Sequence, residues 1–66
     1  MKRFYVFAML NGETVREAIT PANDAIQALH VAGFLPPNLA PQYDVARDRA
    51  HYVTPSGEIV LVAQKA

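Results

Sequence analysis

The two histidines, His30 and His51, are the residues best suited to acid–base chemistry, because imidazole changes its charge near neutral pH. Asp44 and Asp48 precede His51, and a histidine paired with a carboxylate can act as a general base. A chain of 66 residues offers many such pairs, so the spacing does not specify this one. There is no cysteine, and the single serine, Ser56, lies in a proline–serine–glycine turn. We therefore expect that the protein is not an enzyme.

The sequence also shows no clear pattern for a phosphate, metal or cofactor site. The three glycines, Gly12, Gly33 and Gly57, each belong to a turn or a helix end and form no glycine-rich phosphate loop. The two histidines and six acidic residues show no ligand spacing, and no cysteine is present to complete a zinc site. We expect no catalytic, cofactor-binding or metal-binding residues and no cofactor.

Composition and charge narrow the choice of partners. Hydrophobic residues make up 52% of the chain and charged residues 18%, which is typical of a folded protein. Six basic and six acidic residues leave no net charge, which disfavours a nucleic-acid binder that neutralises phosphates. A single domain of 66 residues has a small core, and without disulfides or metal its remaining source of stability is self-association.

The longest apolar run is too short for a membrane span. Phe4–Leu10 has seven residues and is ended by Asn11, Gly12 and Glu13, whereas a spanning helix needs about 20 residues. Lys2 and Arg3 resemble the start of a signal peptide, but no cleavage pattern follows. The sequence predicts a cytoplasmic protein with no membrane contact.

A β-hairpin is the clearest local prediction. Residues 2–10 are rich in aromatic and β-branched types, and Asn11-Gly12 favours a type I′ turn into a second strand at 13–19. A regular two-residue loop places Leu10 opposite Glu13 and, on the other face, Phe7 opposite Arg16. Arg16 would then lie over the Phe7 ring.

The remaining elements complete one small domain, residues 1–66. Thr20 is the predicted N-cap of a helix over 21–32, which Gly33 ends. Strands follow within 43–54, with a break near Arg47-Asp48 as an alternative, and at 58–64. The sequence predicts an α+β two-layer sandwich of order ββαββ, in which one helix packs on one face of a four-stranded antiparallel or mixed sheet. The favoured strand order is 2-1-4-3, because strands one and four are the most apolar. In architecture alone this order is similar to many small phage and mobile-element proteins, some anti-CRISPR inhibitors among them, and implies a protein that blocks a host partner.

Strands one and four do not alternate between apolar and polar residues. A single helix covers one face of a sheet, and the other face is then expected to be polar. In strands one and four, the residues of both faces are apolar. The predicted interface on the uncovered face comprises Tyr5, Phe7, Met9, Arg16, Val60 and Val62.

Three interpretations of this face compete. The favoured one is a homodimer or other protein complex packed on it. The second is that the proline-containing residues 34–42 fold over it. The third is a platform for single-stranded nucleic acid, in which Tyr5 and Phe7 stack on bases. Arg3, Arg47 and Arg49 are the candidate contacts to an anionic partner. The alternating charges of Arg47-Asp48-Arg49 are also typical of an edge strand that is protected from aggregation.

Overall fold

Five antiparallel strands form one sheet in the computed structural model, which describes residues 1–66. The strands are β1 (Lys2–Leu10), β2 (Glu13–Ala22), β3 (Gln42–Asp44), β4 (Arg49–Val53) and β5 (Ile59–Lys65), and the only helix is α1 (Ala25–Val31). Their order across the sheet is β2-β1-β5-β4-β3. The two strands with apolar residues on both faces, β1 and β5, are therefore neighbours near the middle of the sheet.

The predicted four-stranded ββαββ sandwich is wrong. The sheet has five strands and the helix has seven residues. The strand expected within residues 43–54, with a break near Arg47-Asp48 as the alternative, is two strands, β3 and β4, because the chain reverses at Val45–Asp48, where Asp48 has a φ of 49°. The similarity to small phage proteins rested on the predicted order of elements and is not retained. The expected neighbours, strand one beside strand two and the last strand, are found.

The first hairpin has the predicted turn and a different register. Asn11 and Gly12 have φ angles of 50° and 84°, which confirms the type I′ turn. A bulge then shifts the pairing between Ala8 and Met9, so that Ala8 pairs with Arg16 and Phe7 pairs with Glu17. Arg16 therefore lies on the face that carries the helix, and the predicted pairing of Phe7 with Arg16 is wrong.

The helix begins later than predicted because β2 continues through Pro21 to Ala22. Proline is tolerated there since β2 is an edge strand and the missing N–H faces no neighbour. Asp24, not Thr20, is the N-cap, and its side chain accepts the Gln27 N–H. The predicted end is confirmed: the Gly33 and Phe34 N–H groups donate to the carbonyls of His30 and Leu29, which is the Schellman pattern.

Replacing Gly33 by alanine is expected to lower the free energy of unfolding by about 1 kcal/mol. Gly33 has a φ of 76°, and a Cβ there would meet only the Arg16 guanidinium at 3.9 Å, so the cost is backbone strain and not a clash. Urea unfolding measures the change. Gly33→Asn is the control, because asparagine adopts this conformation more readily and is expected to cost less. Equal loss in both variants would contradict the strain argument.

The core lies between α1 and one face of the sheet. Phe4, Val6 and Leu29 are its largest fully buried side chains. Small residues of β2 and α1, Ala22, Ala25 and Ala28 among them, let the helix approach the sheet closely. No helix has the length and apolar composition required to cross a membrane.

Candidate interaction surface

The face of the sheet opposite α1 has no element packed on it, and we call it the open face. Its central row contains, in strand order, Glu17, Phe7, Val62, His51 and Gln42, which are aligned by the strand pairing. The side chains on this face alternate along each strand with those that form the core. The open face therefore crosses all five strands.

Two further rows flank the central one. On one side, Tyr5 pairs with Ile19 and Gln64; on the other, Met9 pairs with Thr14 and Val60, and Val60 pairs with Val53. Five of the predicted interface residues are thus brought together on the open face: Tyr5, Phe7, Met9, Val60 and Val62. The bulge in β2 adds Ile19, which the regular register would have turned towards the helix.

The centre of the open face is apolar and partly accessible. Tyr5, Phe7, Met9 and Val60 are half-buried and Val62 is buried under its neighbours, while Ile19 on β2 and Val53 on β4 are 57% and 47% exposed. The rings of Tyr5 and Phe7 stack on each other with centroids 5.0 Å apart. Tyr5, Phe7, Met9, Val60 and Val62 form a continuous apolar strip along β1 and β5. Ile19 on β2 and Val53 on β4 extend it, and Glu17 on β2 and His51 on β4 lie on either side of its centre.

The segment 34–42 does not cover this strip. Leu35 is buried in the core beside α1, and Phe34 and Leu39 pack against the same cluster. The His30 ring lies 3.0 Å from the Leu39 carbonyl oxygen and links the helix to this segment. The interpretation in which residues 34–42 fold over the open face is wrong, because their apolar side chains complete the opposite face.

Charged groups lie on both flanks of the strip. On β2, the Glu17 carboxylate accepts a 2.8 Å hydrogen bond from the Tyr5 hydroxyl, and this bond raises the pKa of Tyr5. On β4, the Arg49 Nε donates to Gln64 at 3.3 Å. The β2 flank is therefore acidic, and the β4 flank carries Arg49 beside His51.

The four arginines proposed from the sequence do not converge. Arg16 lies on the helix side, with its guanidinium carbon 4.3 Å from the centre of the Phe34 ring. Arg47 pairs with Asp44 at 3.0 Å within the β3–β4 turn. Arg3 and Arg49 remain on the open face, on different strands.

The carboxylates considered as partners for His51 are bound elsewhere. The Arg47 backbone N–H and guanidinium donate to Asp44, and together they lower the pKa of Asp44. Asp48 is buried on the helix side of the sheet. His51 lies beside Val62 and Gln42 and lines two shallow depressions next to β3.

Asp48 forms a buried network that the sequence did not indicate. Its Oδ1 accepts the Tyr43 hydroxyl at 2.7 Å and the Ala25 N–H, at the start of α1, at 3.0 Å; its Oδ2 accepts Lys2 Nζ at 2.8 Å. The bonds from Lys2 and Tyr43 lower the pKa of Asp48 to about 2, and the same carboxylate raises the pKa of Tyr43 to about 12. Aspartate tolerates a positive φ, so the residue type of Asp48 favours a turn at this position, but it does not predict that the Asp48 side chain is buried.

The open face is thus the feature of the molecule best suited to a function. Asp48 has a structural role, because its hydrogen bonds link β1, β3 and the start of α1. No group of three or more histidine, aspartate or glutamate side chains is arranged to hold a metal ion. Comparison with protein-family models, curated proteins and solved structures finds no match to this chain.

Proposed function

We propose that this protein is a small non-catalytic interaction module that forms a homodimer through its open face. The observation that carries the proposal is the apolar strip of Tyr5, Phe7, Met9, Val60 and Val62 on the side of the sheet away from α1. Apolar residues on both faces of a central strand are typical of a sheet that is covered on both sides.

The size of the open face suits a weak dimer. The four longest strands, β2, β1, β5 and β4, have five to ten residues each and are spaced about 4.8 Å apart, so together they present about 500 Å². Two such faces together bury about 1,000 Å², which is near the lower limit for a specific interface. We therefore expect a dimer with a dissociation constant in the micromolar range.

A nucleic-acid platform receives less support. Such a platform needs aromatic rings free to stack on bases and a basic surround. Here the Tyr5 ring stacks on Phe7, its hydroxyl is bonded to Glu17, and Arg16 and Arg47 lie away from the strip. A protein surface fits this combination better.

Sedimentation equilibrium of the wild-type protein between 5 µM and 1 mM tests the proposal. We expect the mean mass to rise from 7.3 kDa towards twice that value as concentration increases. A mass of 7.3 kDa throughout would contradict the dimer. Titration with a mixed pool of single-stranded oligonucleotides at low salt tests the alternative, which predicts binding that weakens steeply as salt is added.

A further inference from the structure

The charges on the open face are distributed asymmetrically about its apolar strip. In the central row, Glu17 lies on β2, Phe7 and Val62 follow on β1 and β5, and His51 lies on β4. Glu17 and His51 thus lie on opposite sides of the line that runs between β1 and β5, each on the second strand from it. Arg49 adds a positive charge on the His51 side.

This arrangement is complementary to itself. Rotation of a second copy by 180° about an axis parallel to the strands, between β1 and β5, brings β1 over the partner's β5 and β2 over the partner's β4. Phe7 then faces the partner's Val62, and Met9 faces the partner's Val60. The same rotation places Glu17 across from the partner's His51.

We propose that the homodimer is a face-to-face packing of two sheets with this axis, in which Glu17 of each protomer accepts a hydrogen bond from the partner's His51. The inference rests on the proposed function and adds the orientation of the second copy. Sheets packed with nearly aligned strands are a common arrangement. Imidazole has an N–H to donate in both its neutral and its charged form, so the bond does not require protonation.

Charge complementarity favours this axis over the alternative. An axis that runs across the strands would also superimpose the apolar strips. It would, however, bring Glu17 towards the partner's Glu17 and His51 towards the partner's His51. Two Glu17 carboxylates placed together disfavour an interface, so the parallel axis is the favoured one.

The test uses charge reversals in the full chain. Glu17→Lys places a cation opposite the partner's His51, and His51→Glu places two carboxylates opposite each other. We expect each single variant to raise the dissociation constant about tenfold, and the double variant E17K/H51E to return it to within about threefold of wild type. Glu13→Lys is the matched control, since Glu13 lies on the same strand but pairs with Leu10 on the helix side, and we expect it to leave dimerisation unchanged.

Glu17→Gln distinguishes weaker dimerisation from a loss of folding. Glutamine keeps an acceptor for the Tyr5 hydroxyl, and we expect about a threefold rise in the dissociation constant with an unchanged circular dichroism spectrum. A wild-type dimer whose E17K/H51E variant is as weak as the weaker single variant would overturn this orientation and leave the dimer intact. A wild-type monomer at 1 mM would overturn the dimer itself.

Discussion

Replacing Asp48 with alanine is expected to lower the free energy of unfolding by at least about 3 kcal/mol, because each hydrogen bond to a charged acceptor contributes about 1.5–3 kcal/mol. The substitution removes the acceptor of the Tyr43 hydroxyl, of Lys2 and of the first N–H of α1. Alanine also tolerates the φ of 49° at this position less well than aspartate does. Urea or thermal unfolding measures the loss.

Asp48→Asn separates the role of the Asp48 charge from that of its backbone conformation, and Asp44→Asn is the control. Asp48→Asn keeps an acceptor and the tolerance of a positive φ, and we expect it to cost about half as much as alanine. Asp44→Asn, at the end of β3 beside the same turn, changes a carboxylate whose partner Arg47 is largely exposed, so we expect a much smaller loss of stability than in either Asp48 variant. If the Asp44 and Asp48 variants lost similar stability, the network would not have the importance we assign to it.

The same network predicts how stability depends on pH. The pKa of Asp48 falls from 3.8 to about 2 on folding, so its contribution is present above pH 3.8 and is lost as the pH falls through 2. The pKa of Tyr43 rises from 10.0 to about 12, so its contribution is present below pH 10.0 and is lost as the pH rises through 12. The variant Asp48→Asn is expected to show a smaller decline at both ends of this range.

Replacing Phe7 with glutamate is expected to raise the dissociation constant of the dimer at least about 100-fold, since a charge buried without a partner at the centre of an interface is costly. Phe7 lies in the central row of the open face, between Glu17 and Val62. The new carboxylate would also lie beside Glu17 in the monomer. Sedimentation equilibrium at matched concentrations measures the change.

Val31→Glu is the control for this substitution. Val31 is 62% exposed on α1, on the other side of the molecule, so the same change of residue type leaves the open face intact. We expect Val31→Glu to dimerise as the wild type does. A folded Phe7→Glu protein that remained dimeric would show that the interface lies elsewhere.

Several features of this protein follow from the sequence alone because they depend on neighbouring residues. Asn11-Gly12 determines the type I′ turn, since both residues accept a positive φ. Gly33 ends the helix for the same reason. The apolar residues on both faces of β1 and β5 are also visible in the sequence, and they indicate a surface that needs a cover.

The tertiary structure decided what depends on distant contacts. The bulge in β2 turned Arg16 towards Phe34 on the helix side and Ile19 towards the open face, and a register cannot be read from the turn once an extra residue is inserted. Residues 34–42 pack on the helix side because Leu35 fills the core there. Asp48 is buried because its three partners come from β1, β3 and the start of α1, which only the folded chain brings together. Short-range conformational preferences therefore determined the turns, and packing between distant segments determined which face each side chain joins.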